Sequence, residues 1–215
     1  MREAGSPGGV WSPERKLFTG SRYDPVNDPT IGPPEYPLHA MFPGPGQLGA
    51  SAFLSEPALL ARPEGIYVAM TSEGPLGGKV LLLRCAHDFG SVEYLGDLVV
   101  DSDAAALGTA YDGFSAPELV ETAQGIYLVV TPTEPPFDLY RGCVVLRITS
   151  LATATVARSG GKVVVVKSVS GDAGSFNGAC AYSPSLSTSS GIIYGQFFYR
   201  SPPEFRLFAS GVTLD

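Results

Sequence analysis

Histidine is almost missing from this chain. His39 and His87 are the two in 215 residues. Neither has a spaced acidic partner, so no metal site and no Ser-His-Asp set can be assembled from them. Cysteine is scarce too: Cys85, Cys143 and Cys180 stand far apart, fit no CxxC or zinc spacing, and read as buried free thiols. Basic residues number 14 against 21 acidic ones, a formal net charge of −7. Phosphate binding needs clustered Lys and Arg, so a nucleic-acid partner is excluded. Apolar runs such as "VVVV" and "GIYLVV" are too short to span a bilayer, which excludes a membrane partner. The start, "MREAGSPGGVW", has no apolar h-region. A cytoplasmic location is the default expectation, although an exported parent with a truncated N-terminus would read the same. Both "GGK" triplets lack the upstream glycine of a phosphate-binding loop, so they read as turns, and no cofactor is implied.

Glycine and proline are plentiful, at 26 and 19, and fall between short apolar segments. With 44% hydrophobic residues, the chain reads as globular and rich in strands and turns. Its strongest signal is a repeat. "SEPALLARPEGIYVAMT" at 55–71 aligns without a gap on "SAPELVETAQGIYLVVT" at 115–131. The two share Ser, Pro, Leu, Gly, Ile, Tyr and Thr at matching places. A weaker third copy begins at "AYSPSLSTSSGIIYGQFF", with Pro184, Leu186 and Tyr194 on the same spacing and Gly191 displaced by one.

Each copy reads as a short strand, a turn and a second strand carrying Ile-Tyr. A further strand follows: "KVLLLRCA", "GCVVLRIT" and "FRLFASGV". The second strands are apolar at nearly every position, as strands buried on both faces are. Units of about 60 residues with up to four antiparallel strands predict an all-β chain of β-propeller blades. We expect a single propeller-like domain over 1–215, with units near 55–110, 115–175 and 182–215 and 1–20 as the outer hairpin of a partial or closing blade. Such a chain holds fewer blades than a closed ring needs. An incomplete propeller follows, with a homo-oligomer or missing N-terminal blades to cover its edges.

"SAPELVETAQGIYLVV" resembles the inner strands of five-bladed propeller glycosidases of the arabinanase, xylosidase and invertase type. "LLLRCAHDFGSVEYLGDL" is similar to their outer strands. "SPGGVWSPERKLF" resembles a worn sialidase Asp-box, with Ser6, Gly9 and Trp11 in place and no Asp. The resemblance covers most of residues 50–215 and implies a carbohydrate ligand in an axial funnel, with carboxylates from different blades flanking the scissile bond. Glu56 and Glu118, on either side of their repeat's proline, are the catalytic candidates it implies. By strand alternation they share a face. The context of Glu56 is similar to the Glu-Cys-Pro acid motif of the invertase type. The corresponding places in the third copy hold Ser183 and Ser185, so no third carboxylate appears there.

Asp112, with Tyr111 and Phe114 for stacking on a sugar ring, is the candidate binding set just ahead of the second inner strand. Asp24 and Asp28 in "YDPVNDP" read as Asx-Pro turns. Three readings remain open: a glycoside hydrolase-like protein, a non-catalytic propeller that binds a glycan or protein, and a truncated inactive fragment.

Overall fold

In a computed structural model of the chain, the described residues are 9–10, 13, 16–18, 34–44, 47–48, 53–74, 77–135, 139–140, 142–170, 176–183, 191–198, 202 and 204–214. Asp24, Asp28, Ser6 and Trp11 lie outside them. Among the described residues, three blade-like antiparallel sheets follow one another along the chain, with a separate two-stranded hairpin sheet beside the second, and the protein is all-β.

A one-turn helix, α1 (Leu38–Met41), precedes the first sheet, which runs in order through β1 (Phe53–Arg62), β2 (Gly65–Gly74), β3 (Gly77–Cys85) and β4 (Val92–Val99). Helix α2 (Asp101–Leu107) leads into the second sheet. Its innermost strands are β5 (Gly113–Thr122) and β6 (Gly125–Glu134), followed by the short β7 (Leu139–Tyr140), then β8 (Cys143–Ser150) and β9 (Thr155–Val156). A small hairpin of β10 (Arg158–Ser159) and β11 (Lys162–Val163) sits before the outermost strand, β12 (Val165–Val169). The third sheet holds β13 (Phe176–Ser183), β14 (Gly191–Phe198) and β15 (Glu204–Ala209).

Alternate residues of each second strand serve different cores, which is why "GIYVAM" and "GIYLVV" show no wet face. Val68 and Met70 pack with Leu81, Leu83, Leu38 and Leu48 on one side of the first blade. Tyr67 and Ala69, with Leu82 and Leu98, meet Phe114, Leu119, Leu128 and Leu146 of the second. Val129 and Val145 turn the other way, onto Cys180, Ile192 and Leu214. Each of the first two blades is thus a layer between two apolar clusters, and burial of both faces supplies their main stabilisation.

The repeat fixes register as well as content. Ser55 pairs Thr71 and Arg62 pairs Gly65; Ser115 pairs Thr131 and Thr122 pairs Gly125. Gly65, Gly125 and Gly191 open the second strands with φ of 143°, 143° and 152°, where a side chain would be strained. The third copy begins earlier than its proline suggests. Its inner strand is β13, six residues upstream of the expected start at 182, and Ser183 closes it against Gly191. A bulge between Asn177 and Cys180 repeats those between Ser55 and Ala58 and between Ser115 and Glu118. Gly178 and Cys180, rather than Ser183 and Ser185, therefore hold the places of Glu56/Ala116 and Ala58/Glu118.

Two further expectations change. Cys143 and Cys180 are not free thiols: neighbouring blades bring β8 and β13 together with a Cα–Cα distance of 6.1 Å, and the two are disulfide-bonded. Cys85 is free and buried, and burial pushes its thiol up to about 11. The first "GGK" is the start of β3 rather than a turn. A Cβ on Gly113 would meet the Gly78 nitrogen at 2.3 Å, so glycine there lets β3 and β5 touch backbone to backbone. Gly160 and Gly161 do form the β10–β11 turn, both at positive φ.

Candidate functional site

Serine-x-proline opens the site. Proline has no N–H for the ladder, so in β1 and β5 it sits where the ladder is interrupted. Glu56 and Pro57 fall between the paired residues Ser55 and Ala58, and Ala116 and Pro117 between Ser115 and Glu118. Glu56 and Ala116 take the same left-handed backbone, φ 52° and 50°. That conformation costs a non-glycine residue about 1 kcal/mol. It belongs to the bulge, because the alanine adopts it with no chemistry to perform.

The three bulged strands lean together and frame an open groove of about 390 Å³. Residues 56–59 of β1, 116–119 of β5, and Cys180 and Ala181 of β13 line it. Glu56 and Glu118 are the two carboxylates of that lining. The alternation argument does not apply across a bulge, yet both side chains reach the same groove, one from each blade.

Their surroundings differ. Glu56 is enclosed by donors: Oε2 accepts from the Thr71 hydroxyl at 3.0 Å, the Ser115 hydroxyl at 2.6 Å and the Ala116 N–H at 2.7 Å. Oε1 accepts from the Tyr140 hydroxyl at 3.1 Å. Three of these donors belong to the second blade, so Glu56 pins the seam between the first two blades while facing the groove. Glu118 has one described donor, the Tyr182 N–H of the third blade. Burial pushes its carboxyl above the usual range, against the opposing effect of that hydrogen bond.

The second seam is the poorer copy. Thr131 holds the register position of Thr71 and is fully buried, but Ala116 brings it no carboxylate, and its hydroxyl has no hydrogen-bond partner among the described residues. Replacing a buried, unsatisfied hydroxyl by a methyl group removes a desolvation penalty. Thr131→Val is therefore expected to raise stability by about 1 kcal/mol, read as a higher urea midpoint at unchanged slope. Thr71→Val, which strips a donor from Glu56, should lower it.

The other candidates stand outside the groove. Phe114 is completely buried in the seam between the first two blades and offers no face to a sugar. The Tyr111 ring rests against Gly108 and the same core. Asp112 pairs with Thr133, its N–H donating to the Thr133 carbonyl at 3.0 Å and its Oδ1 lying 3.4 Å from the hydroxyl. Sequence reasoning passed over Thr71, Ser115 and Tyr140. The first two carried a signal: hydroxyls kept in both copies within otherwise apolar strands. Tyr140 carried none, because among the described residues the first blade has no counterpart of its short strand. Among the described residues no group of acids, cysteines and histidines could hold a metal ion. None of the helices there is long and apolar enough to cross a membrane.

No family model matches the chain, and no curated protein does. Among solved structures it is similar to a GH43_1 enzyme from Xanthomonas citri, at 15% identity and a TM-score of 0.41. That similarity covers 72% of this chain and 42% of the other, so the chain spans less than half the length of the structure it matches.

Proposed function

We propose that the groove binds a carbohydrate and that the protein is glycoside hydrolase-like, with Glu118 as proton donor and Glu56 as the carboxylate that activates water or attacks the sugar. The observation that carries this reading is the contrast between the two glutamates of one groove. Acid and base roles at one pH need two carboxyls in unlike environments. Burial favours the protonated form of Glu118, as a general acid requires. Glu56, ringed by four donors, is set up to accept. These roles reverse the one that the invertase-type motif suggests for Glu56.

Release of the leaving group from a panel of aryl glycosides tests this. Glu118→Gln is expected to lose about 10²–10⁴-fold in kcat/KM on poor leaving groups. It should recover on dinitrophenyl glycosides, which leave without a proton, whereas Glu56→Gln should not. In the wild type, activity should fall as pH rises through the raised Glu118 value, and that limb should vanish in Glu118→Gln. A wild-type protein that cleaves none of the panel ends the hydrolase reading.

A second reading, a non-catalytic binder, is favoured by the bulge of the second blade, where alanine replaces the glutamate, and by the lack of a third carboxylate among the described groove residues. It predicts glycan-array binding that survives both Gln substitutions. The interblade disulfide favours an oxidising compartment over the cytoplasmic default.

A further inference from the structure

The four donors around Glu56 are not shared evenly between its oxygens. Thr71, Ser115 and Ala116 converge on Oε2. Thr71 and Ser115 are buried, and Ala116 gives a backbone N–H within the bulge, so none of the three has much freedom. An oxygen has two lone pairs, so Oε2 is filled. A carboxylate held at one oxygen still pivots about it, and these three donors leave the direction of Oε1 open. Among the described residues, one donor acts on Oε1: the Tyr140 hydroxyl. With a single donor, Oε1 keeps a lone pair for a proton from water or a sugar hydroxyl in the groove.

We propose that Tyr140 is a positioning residue: its hydroxyl fixes the direction of Glu56 Oε1 and thereby makes that oxygen the one that works in the groove. This rests on the reading of Glu56 as the activating carboxylate. The geometry around the tyrosine is suited to the task. Its oxygen lies 3.4 Å from the Ser115 oxygen; both hydroxyls donate their one proton to Glu56, so this is a side-by-side contact of two donors and not a further hydrogen bond. Burial pushes its phenol above the usual range, so it remains a donor across the pH range of interest. Tyr140 sits on the two-residue β7, paired with Thr133 on β6, so the second blade carries a donor onto a carboxylate of the first. An active arrangement on this plan requires both blades docked.

The test is Tyr140→Phe, which keeps the ring and removes the hydroxyl. The direct readout is the side-chain carboxyl ¹³C resonance of Glu56, assigned by its disappearance in Glu56→Gln. It is expected to move in Tyr140→Phe, and kcat on aryl glycosides is expected to fall about tenfold with KM within about twofold, the loss of one oriented hydrogen bond acting in the transition state. An unmoved resonance overturns the proposal whatever the activity. So does a moved resonance with wild-type kcat, or a rise in KM at constant kcat, which would make Tyr140 a ligand contact. If the wild type hydrolyses nothing and the resonance still moves, the positioning role stands and the hydrolase reading falls. Should Tyr140→Phe fold poorly, 3-fluorotyrosine at position 140 provides a stronger donor of nearly the same shape. It must then shift the resonance, and no shift overturns the proposal.

Discussion

Reduction of the Cys143–Cys180 disulfide is expected to lower the melting temperature by about 10 °C. The bond closes a loop of 37 residues. Opening it returns about 4 kcal/mol of conformational entropy to the unfolded chain on the loop-closure account. For a domain of this size each kcal/mol shifts the melting temperature by about 2–4 °C. What makes the effect large is where the bond lies. Among the described residues, the seam it crosses has no four-donor clamp: alanine stands in the bulge, the Thr131 hydroxyl has no hydrogen-bond partner, and Glu118 accepts from the Tyr182 N–H. Apolar packing of Val129, Val145 and Ile192 provides most of the remaining cohesion. Thermal unfolding with and without a dithiol reductant measures the effect, with Cys143→Ala/Cys180→Ala as the reductant-insensitive control. Cys85 should not interfere, since a buried thiol with a raised pKa is a poor exchanger. Equal melting temperatures in both conditions would show that the bond does not staple the blades.

Glu56→Ala is expected to cost about 3 kcal/mol, the second-largest effect. Hydrogen bonds to a charged partner contribute about 1.5–3 kcal/mol each, and the buried donors lose theirs together. The loss is less than the sum, because two donors have alternatives: the Ala116 N–H already lies 3.1 Å from the Thr71 hydroxyl, and Ser115 lies beside Tyr140. Glu56→Gln should cost only about 1 kcal/mol, its carbonyl facing the three donors and its amide facing a Tyr140 hydroxyl turned to accept. A double-mutant cycle of Glu56→Ala with Ser115→Ala should show a coupling well above the few tenths typical of independent sites. If Glu56→Ala unfolds at the wild-type urea midpoint, the glutamate does not hold the seam.

The gap-free match of 55–71 with 115–131 gave away the register of two blades, because the shared Gly and Thr each have one partner on the opposing strand. The apolar run of each second strand announced two buried faces for the same physical reason: neighbouring blades flank it. The bulge of the third copy gave no signal in the sequence, because Gly178 and Ala179 stand there in place of a residue followed by proline. Their prolines mark Glu56 and Glu118 in the sequence, but unbroken strand alternation does not relate the two, because a bulge interrupts both strands there. The disulfide was not readable from two cysteines 37 positions apart, since their meeting depends on how the second and third blades stack. Phe114 looked exposed beside Asp112 in the sequence; the Gly78–Gly113 backbone contact instead draws it into the seam.

The shared bulge has an evolutionary corollary. Glu56 and Ala116 occupy interchangeable sockets, each already bent to the same backbone shape and each followed by proline. The strained conformation is maintained in the second blade even though it holds no acid, so the scaffold does not have to be reinvented for a functional group to move between repeats. A single codon change at 116, alanine to glutamate, would place a carboxylate beside the idle Thr131 hydroxyl and equip the neighbouring seam with its own clamp. Repetition keeps a spare position in working order, and a carboxylate on such a chain can move from one seam to the next by point substitution.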